Sequence, residues 1–302
     1  MKIQGLCLVV LFFSSLKCES QFSKSKSDEK ESYFKTDLNY LNDLVYLGRR
    51  DSLMVPYLSA TVGYYHRSGL FISGALSYLS SKAESRIDLF TVDAGYEFSI
   101  NDILSGSIIG EKYFYNKASN SIKSDISGIL YASMNADLSA IQIGMEAGVS
   151  FATKTDYTTT FTAAHNFNLE QNDKGFSINP SLNINFSTLN FYEAVTNKKF
   201  GKKHLINNPN YLSLTSTTVA NKQGFTLMDF EFSIPIEYKI NHTVFYLTPY
   251  YAIPQNPIST TTNATITLRN GSTLKQQLNS TAWSENNLNA IFYLEAGINF
   301  SF

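Results

Sequence analysis

The residues able to do chemistry are few. The chain holds 4 His and 2 Cys in 302 residues. Cys7 and Cys18 both lie in an apolar N-terminal stretch, and no His or Cys spacing suits a zinc site. Acyl transfer needs a histidine and a serine close enough to share a proton. His66 and His242 fall in short turns and His204 in a long loop, which leaves His165 alone in a strand pattern. Its neighbours two residues away are Ala163 and Phe167, not serine. A packed histidine is the plainer reading, so no catalytic, cofactor or metal residue is assigned. The glycines fall within strand patterns and not in phosphate-cradling loops.

The carboxylates say more. Where the sequence alternates, Asp93, Glu111, Glu146, Asp229, Glu231 and Glu295 fall on the polar row, with little Lys or Arg at mid-strand. Glu97, Glu170 and Glu237 share that row nearer the strand ends, where water can reach them. Enclosed carboxylates must be hydrated, paired or protonated. Arg49 and Arg50, with the segment before them, are the candidate counter-ions should that segment fold inward. The run Asn197 to His204 adds a basic cluster in a long loop; it reads as a solvated loop or, functionally, as a grip on lipid phosphates.

The elements that position these side chains follow from a period of two. Between residues 176 and 186, Phe176, Ile178, Pro180, Leu182, Ile184 and Phe186 alternate with Ser177, Asn179, Ser181, Asn183 and Asn185. Such alternation predicts a strand with one apolar and one polar face. Eleven segments repeat it, from Leu58–Tyr64 through Leu288–Phe302. The polar row is small and short of lysine, which suits an enclosed wet interior better than an outer surface. Charged residues are 16% of the chain, against about 25% in ordinary soluble domains. Tyr and Phe number 19 and 22, and no apolar run after the N-terminus is long enough for a spanning helix. A net charge of −1 gives no general pull on nucleic acid.

Connections alternate between short and long, and an even strand count then requires one more strand within 38–49, turning at Arg50-Asp51-Ser52. The expected fold is all-β: a transmembrane up-and-down antiparallel barrel of twelve strands. Ten is an alternative, as is fourteen if a hairpin around Asn270-Gly271 also spans. Residues 1–20 read as a signal peptide and 21–37 as a disordered periplasmic segment. Residues 38–302 read as the barrel, with long outer loops at 188–224 and 255–287.

The C-terminal stretch Phe292-Tyr-Leu-Glu-Ala-Gly-Ile-Asn-Phe-Ser-Phe302 resembles the closing strand of bacterial outer-membrane β-barrels, and the whole chain looks like the small barrels of Bacteroidetes-type bacteria. The resemblance implies integral outer-membrane location and recognition of the terminal strand by the barrel-insertion machinery. It also implies outer-membrane lipid and lipopolysaccharide as neighbours. The function expected is a narrow passive channel with a cation-favouring lumen, or a structural surface protein. The alternative is a lipid-modifying acyl hydrolase or acyltransferase centred on a lipid-facing His165.

Overall fold

The computed structural model describes residues 31–50, 54–81, 85–119, 121, 123–171, 174–188, 190, 211–220, 224–268, 270–283 and 288–302. Among them are twenty strands and no helix. The first seven are β1 (Tyr33–Leu41), β2 (Val45–Tyr46), β3 (Arg49–Arg50), β4 (Tyr57–Tyr65), β5 (Leu70–Ser80), β6 (Ser85–Ser99) and β7 (Leu104–Tyr115). Next come β8 (Gly128–Asp137), β9 (Gln142–Phe151), β10 (Asp156–Ala164), β11 (Phe167–Gln171), β12 (Lys174–Ile178) and β13 (Ser181–Ser187). The chain continues through β14 (Tyr211–Ala220), β15 (Thr226–Ser233), β16 (Ile236–Ile240) and β17 (Thr243–Pro254). It ends with β18 (Ile258–Leu268), β19 (Thr273–Trp283) and β20 (Ile291–Ser301).

The ring runs β1-β4-β5-β6-β7-β8-β9-β10-β13-β15-β17-β20 and returns to β1, every neighbour antiparallel. Its closing seam sets Lys35 opposite Ser301 and Leu41 opposite Glu295. β11, β12 and β16 lengthen the staves of β10, β13 and β15 past short interruptions at His165-Asn166, Asn179-Pro180 and Ile234-Pro235. Proline has no amide to give a ladder. Here the neighbouring amides bond the proline carbonyls instead: His165 to Pro180, Asn179 to Pro235 and Ile234 to Pro249. The result is a closed barrel of twelve staves. Fourteen is excluded because β18 and β19 pair with β14 in a separate three-stranded sheet, outside the ring.

The first stave corrects an expectation. It begins at Tyr33, inside the stretch expected to be disordered, and stops at Leu41 without reaching Arg50. The reason is local: Lys35, Asp37 and Asn39 point inward and are buried, while Phe34, Leu38 and Tyr40 point outward. A charged inner row makes this strand look like a polar linker in sequence.

The alternation resolves into two environments. Leu58, Ile72, Phe90, Met145, Phe161 and Phe245 are exposed on the outer wall, while their strand neighbours, apart from the half-buried Gly144 and Thr162, are buried within the ring. So much exposed apolar surface marks an outer wall that meets something other than water. The buried apolar clusters lie inside the barrel. Tyr46, Leu47 and Ile126 pack against Leu89, Ile109, Ile129, Tyr131 and Met228. Leu44 and Val45 pack with Leu41, Tyr57, Leu79, Tyr250 and Tyr293. Each fully buried aliphatic side chain stabilises this arrangement by about 1.5–3 kcal/mol.

Two connections at the long-loop end supply the inner half of that core. Residues 42–50 carry the β2–β3 hairpin, in which Tyr46 faces Arg49 across Leu47 and Gly48. Both turn residues have positive φ, 53° and 56°, as a two-residue hairpin of this hand requires. Leu47 adopts this unfavourable backbone with its side chain fully buried. The described residues between β7 and β8, 116–119, 121 and 123–127, belong to the second inward connection, with turns from Ser119 N to Asn116 O, Ser124 N to Ser121 O and Ile126 N to Lys123 O.

Candidate functional site: a tyrosine-laced acidic lumen

All six carboxylates of the sequence reading, Asp93, Glu111, Glu146, Asp229, Glu231 and Glu295, are buried on the inner wall. The sheet register distributes them around the ring. Asp93 lies directly opposite Glu111 on β6 and β7. Glu146 lies between Ser133 and Thr160. Asp229 and Glu231 oppose Asn185 and Asn183. Glu295 sits on β20 beside the seam. Of the three rim carboxylates, Glu97 is exposed, and the side chain of Glu170 lies outside the described residues. Glu237 departs from the expectation of a solvated rim: it is buried, opposite Ser177 and Tyr246.

Tyrosines, to which the sequence assigned no role, hold three of these acids, Glu111, Glu231 and Glu295, and also Asp37 and Asp88. Tyr246 donates to both oxygens of Asp37, at 3.1 and 3.2 Å. Tyr250 donates to Glu295 at 3.3 Å, and Tyr293 to Glu231 at 2.7 Å. Glu111 accepts from Tyr113 and, at 3.2 Å, from Tyr131. Tyr57 donates to Asp88 at 2.5 Å. Amides and hydroxyls complete the set: Asn39 to Glu295 at 2.7 Å, Asn185 to Asp229 at 2.6 Å and Ser73 to Asp93 at 3.1 Å. A donor on a buried carboxylate offsets part of the cost of its desolvation. A tyrosine falling on the polar row of a strand was the signal available for this in sequence.

The cations come largely from the inward loops. Arg49 is fully buried and donates to three carbonyl oxygens: Leu47 at 2.8 Å, Gln255 at 3.1 Å and Asn256 at 2.7 Å. These bonds tie the β2–β3 hairpin to the chain leaving β17. Arg50 pairs with Asp43 at 3.4 Å, an acid of the same loop. Burial raises the Asp43 carboxyl above its ordinary value, opposed by the Val55 amide and Arg50. The inward segment is thus 42–50; residues 1–30, the expected signal peptide and most of the expected linker, lie outside the described residues.

Lys123, from the second loop, reaches deeper. Its ammonium sits 4.8 Å from the Tyr113 ring centroid and 5.4 Å from that of Tyr46. Burial pulls its pKa below the ordinary lysine value, and the charges of Glu111 and Asp93 pull the other way. The loop is pinned at its start by Asp88, which accepts from Ser119 at 2.7 Å, Tyr57 and Arg86. Arg86 also bonds the Ala118 carbonyl at 3.1 Å. Both loops meet where Lys123 lies over Tyr46.

Solvent access inside the barrel is uneven, with Lys35 and Asn299 buried near the seam at the short-turn end while the β8–β13 side is more open there. At the long-loop end Asp229, Met228, Asn185, Ser187, Ala252 and Tyr293 have no accessible surface. Toward the short-turn end, Asn135, Gly144, Thr162 and Ser181 are only half-buried and Glu97 is exposed. Among the described residues, no group of three His, Cys, Asp or Glu side chains could hold a metal ion. His165 stands apart from the lumen. Its ring meets Phe167 edge-on at 4.3 Å, and its Nδ1 lies 2.7 Å from the Ala140 carbonyl oxygen, so Nδ1 donates there. The basic run 197–204 lies outside the described residues.

A closed antiparallel ring with an apolar outer wall and acids on its inner wall defines a transmembrane-type β-barrel. No protein-family model matches the chain, and no curated protein matches it. Solved structures similar to it include a KdgM porin, with 11% identity and a TM-score of 0.41 over 89% of this chain and 99% of that one. LpxR from Salmonella typhimurium is similar at 10% identity and a TM-score of 0.40, over 88% and 99%. OmpF of Salmonella typhi, in a complex with daunomycin, follows at 10% and 0.31, over 90% and 97%. Likeness at this level assigns neither solute nor activity.

Proposed function

We propose that the chain is an integral outer-membrane barrel of a Gram-negative bacterium, of the Bacteroidetes type, forming a narrow cation-favouring channel. Its own residues 42–50 and 116–127 hold that channel shut at the long-loop end. In this reading residues 1–20 direct export, and β20 with its terminal Phe302 is read by the barrel-insertion machinery. Outer-membrane lipid and lipopolysaccharide then surround the apolar wall.

The observation that carries the reading is the imbalance of sign within the ring. The inner wall bears Asp37, Asp88, Asp156, Glu237 and the six carboxylates above, against Lys35 and the half-buried Arg86, while Arg49 and Lys123 enter on loops. A wetted lumen of that sign attracts cations and repels anions. With both loops in place, the core they complete leaves no room for an ion at that level.

The test is single-channel recording of the refolded full chain in planar bilayers under a KCl gradient. Wild type should show rare, small openings. A variant with 117–125 replaced by a short Gly-Ser bridge should show frequent steps with a reversal potential on the cation side. Silence from both, in protein proven folded by heat-modifiable gel mobility, leaves a structural surface protein as the surviving reading.

A further inference from the structure

We propose that Asp93, Glu111, Tyr113 and Tyr46 form a binding site for an unbranched primary alkylammonium group, whose aromatic side the chain covers here with its own Lys123. The inference deepens the channel reading, on which it rests for the route by which a solute arrives, and it names the solute class. Aromatic faces with carboxylates behind them are the usual chemistry of ammonium recognition.

Three observations support it. First, Asp93 and Glu111 are direct cross-strand neighbours on the inner face. Like charges so placed repel unless one takes a proton or a cation lies near, and the near cation is Lys123, whose ammonium lies on the face of the Tyr113 ring that itself bonds Glu111. Second, the wall holds the acceptors without help from the lysine: Ser73 bonds Asp93, while Tyr113 and Tyr131 bond Glu111. Third, Thr91 is 2% exposed, shares the inner face with Asp93 and lies opposite Tyr113, and its buried hydroxyl has no hydrogen-bond partner among the described residues. An ammonium has three protons to give, and this is a spare acceptor beside the two carboxylates.

The lysine is a tethered occupant more than a part of the wall. It arrives on a loop anchored elsewhere, through Ser119 and Ala118 to Asp88 and Arg86. Removing the side chain should therefore leave the site's walls standing. Beyond its Cα the lysine is n-butylammonium, which makes that ion the matched probe.

The experiment is isothermal titration of the refolded full chain in detergent with n-butylammonium chloride, alongside n-butanol and Nα-acetyl-lysinamide. Lys123→Ala should bind butylammonium saturably and at least tenfold more tightly than wild type, whose site is self-occupied. Adding Asp93→Asn and Glu111→Gln to Lys123→Ala should weaken that binding at least tenfold. Tighter binding of acetyl-lysinamide would identify a peptide lysine as the source, and tighter binding of butylammonium a free amine. Equal binding in wild type and Lys123→Ala, equal binding of n-butanol, or full retention after the acid substitutions overturns the proposal. Should Lys123→Ala fail to fold, Lys123→Ser carries the same comparison. Because the readout is heat of binding, a channel that never conducts leaves this result intact, and a conducting channel without binding refutes the site alone.

Discussion

Tyr246 lies across Gly297 on the neighbouring strand and donates its hydroxyl to Asp37 one strand further on. A Cβ at position 297 would stand 2.5 Å from the ring's Cζ and hydroxyl oxygen, so only glycine leaves the path open. Gly297→Ala should therefore displace the ring and cost about 1–3 kcal/mol. Tyr246→Phe keeps the packing but strips a donor from a buried carboxylate, at a similar cost of about 1–3 kcal/mol. Urea unfolding in detergent micelles measures both, and unchanged midpoints would show that the ring does not hold the seam.

The seam itself can be tested chemically. Leu38 and Ile298 are register partners on β1 and β20, and Leu38 is exposed on the outer wall. Opposed residues of antiparallel strands fall within disulfide reach. A Leu38→Cys, Ile298→Cys pair should oxidise spontaneously after refolding and abolish heat-induced mobility shifts under non-reducing electrophoresis. A pair made one step out of register, Leu38→Cys with Asn299→Cys, should stay reduced, since its side chains point to opposite faces.

Arg49 ties the β2–β3 hairpin to carbonyls beyond β17, so its loss should free the first inward loop. Arg49→Met keeps much of the volume and removes every donor to Leu47, Gln255 and Asn256. Hydrogen bonds to a charged group contribute about 1.5–3 kcal/mol. Limited proteolysis from the long-loop side, on protein inserted in vesicles, should cut within 42–50 at least tenfold faster in the variant. Equal cutting rates would place the hairpin's stability in Tyr46 and Leu47 alone.

Ion preference should follow the inner carboxylates. In a loop-shortened background that conducts, the triple change Glu111→Gln, Glu231→Gln and Glu295→Gln should lower the potassium-over-chloride permeability ratio several-fold. Single-channel size should change much less, because each substitution conserves shape. A ratio that stays put would mean that selectivity is set elsewhere, and raising the salt concentration should shrink the wild-type preference by screening.

Much of the barrel was legible in sequence because its governing rule is a period of two. Stretches such as Phe176–Phe186 and Phe292–Phe302 carry that rule in plain form, and the count of twelve staves follows from alternating turn lengths. β1 was harder: Lys35, Asp37 and Asn39 on the inside and Thr36 on the outside break the contrast between faces. The inward acids could be placed by parity alone. The inward loops could not, because no periodicity distinguishes a connection that turns into a barrel from one that projects away. Arg49 was picked out by charge, yet it bonds three carbonyl oxygens, which leave no trace in a residue pattern. Lys123 lies in a loop of Ser, Asn and Lys, and only the three-dimensional path shows that its ammonium ends between two tyrosine rings. The tyrosine donors hid in plain view, since Tyr suits both a lipid-facing row and a polar one.

The seam joins the strand nearest the start of the described chain to the strand nearest its end, with Lys35 beside Ser301. Until β20 exists, β1 and β17 each present a bare edge, so no partial ring synthesised from the N-terminal side can seal itself. Closure must therefore wait for β20, and until then both edges stay open to pairing with other strands.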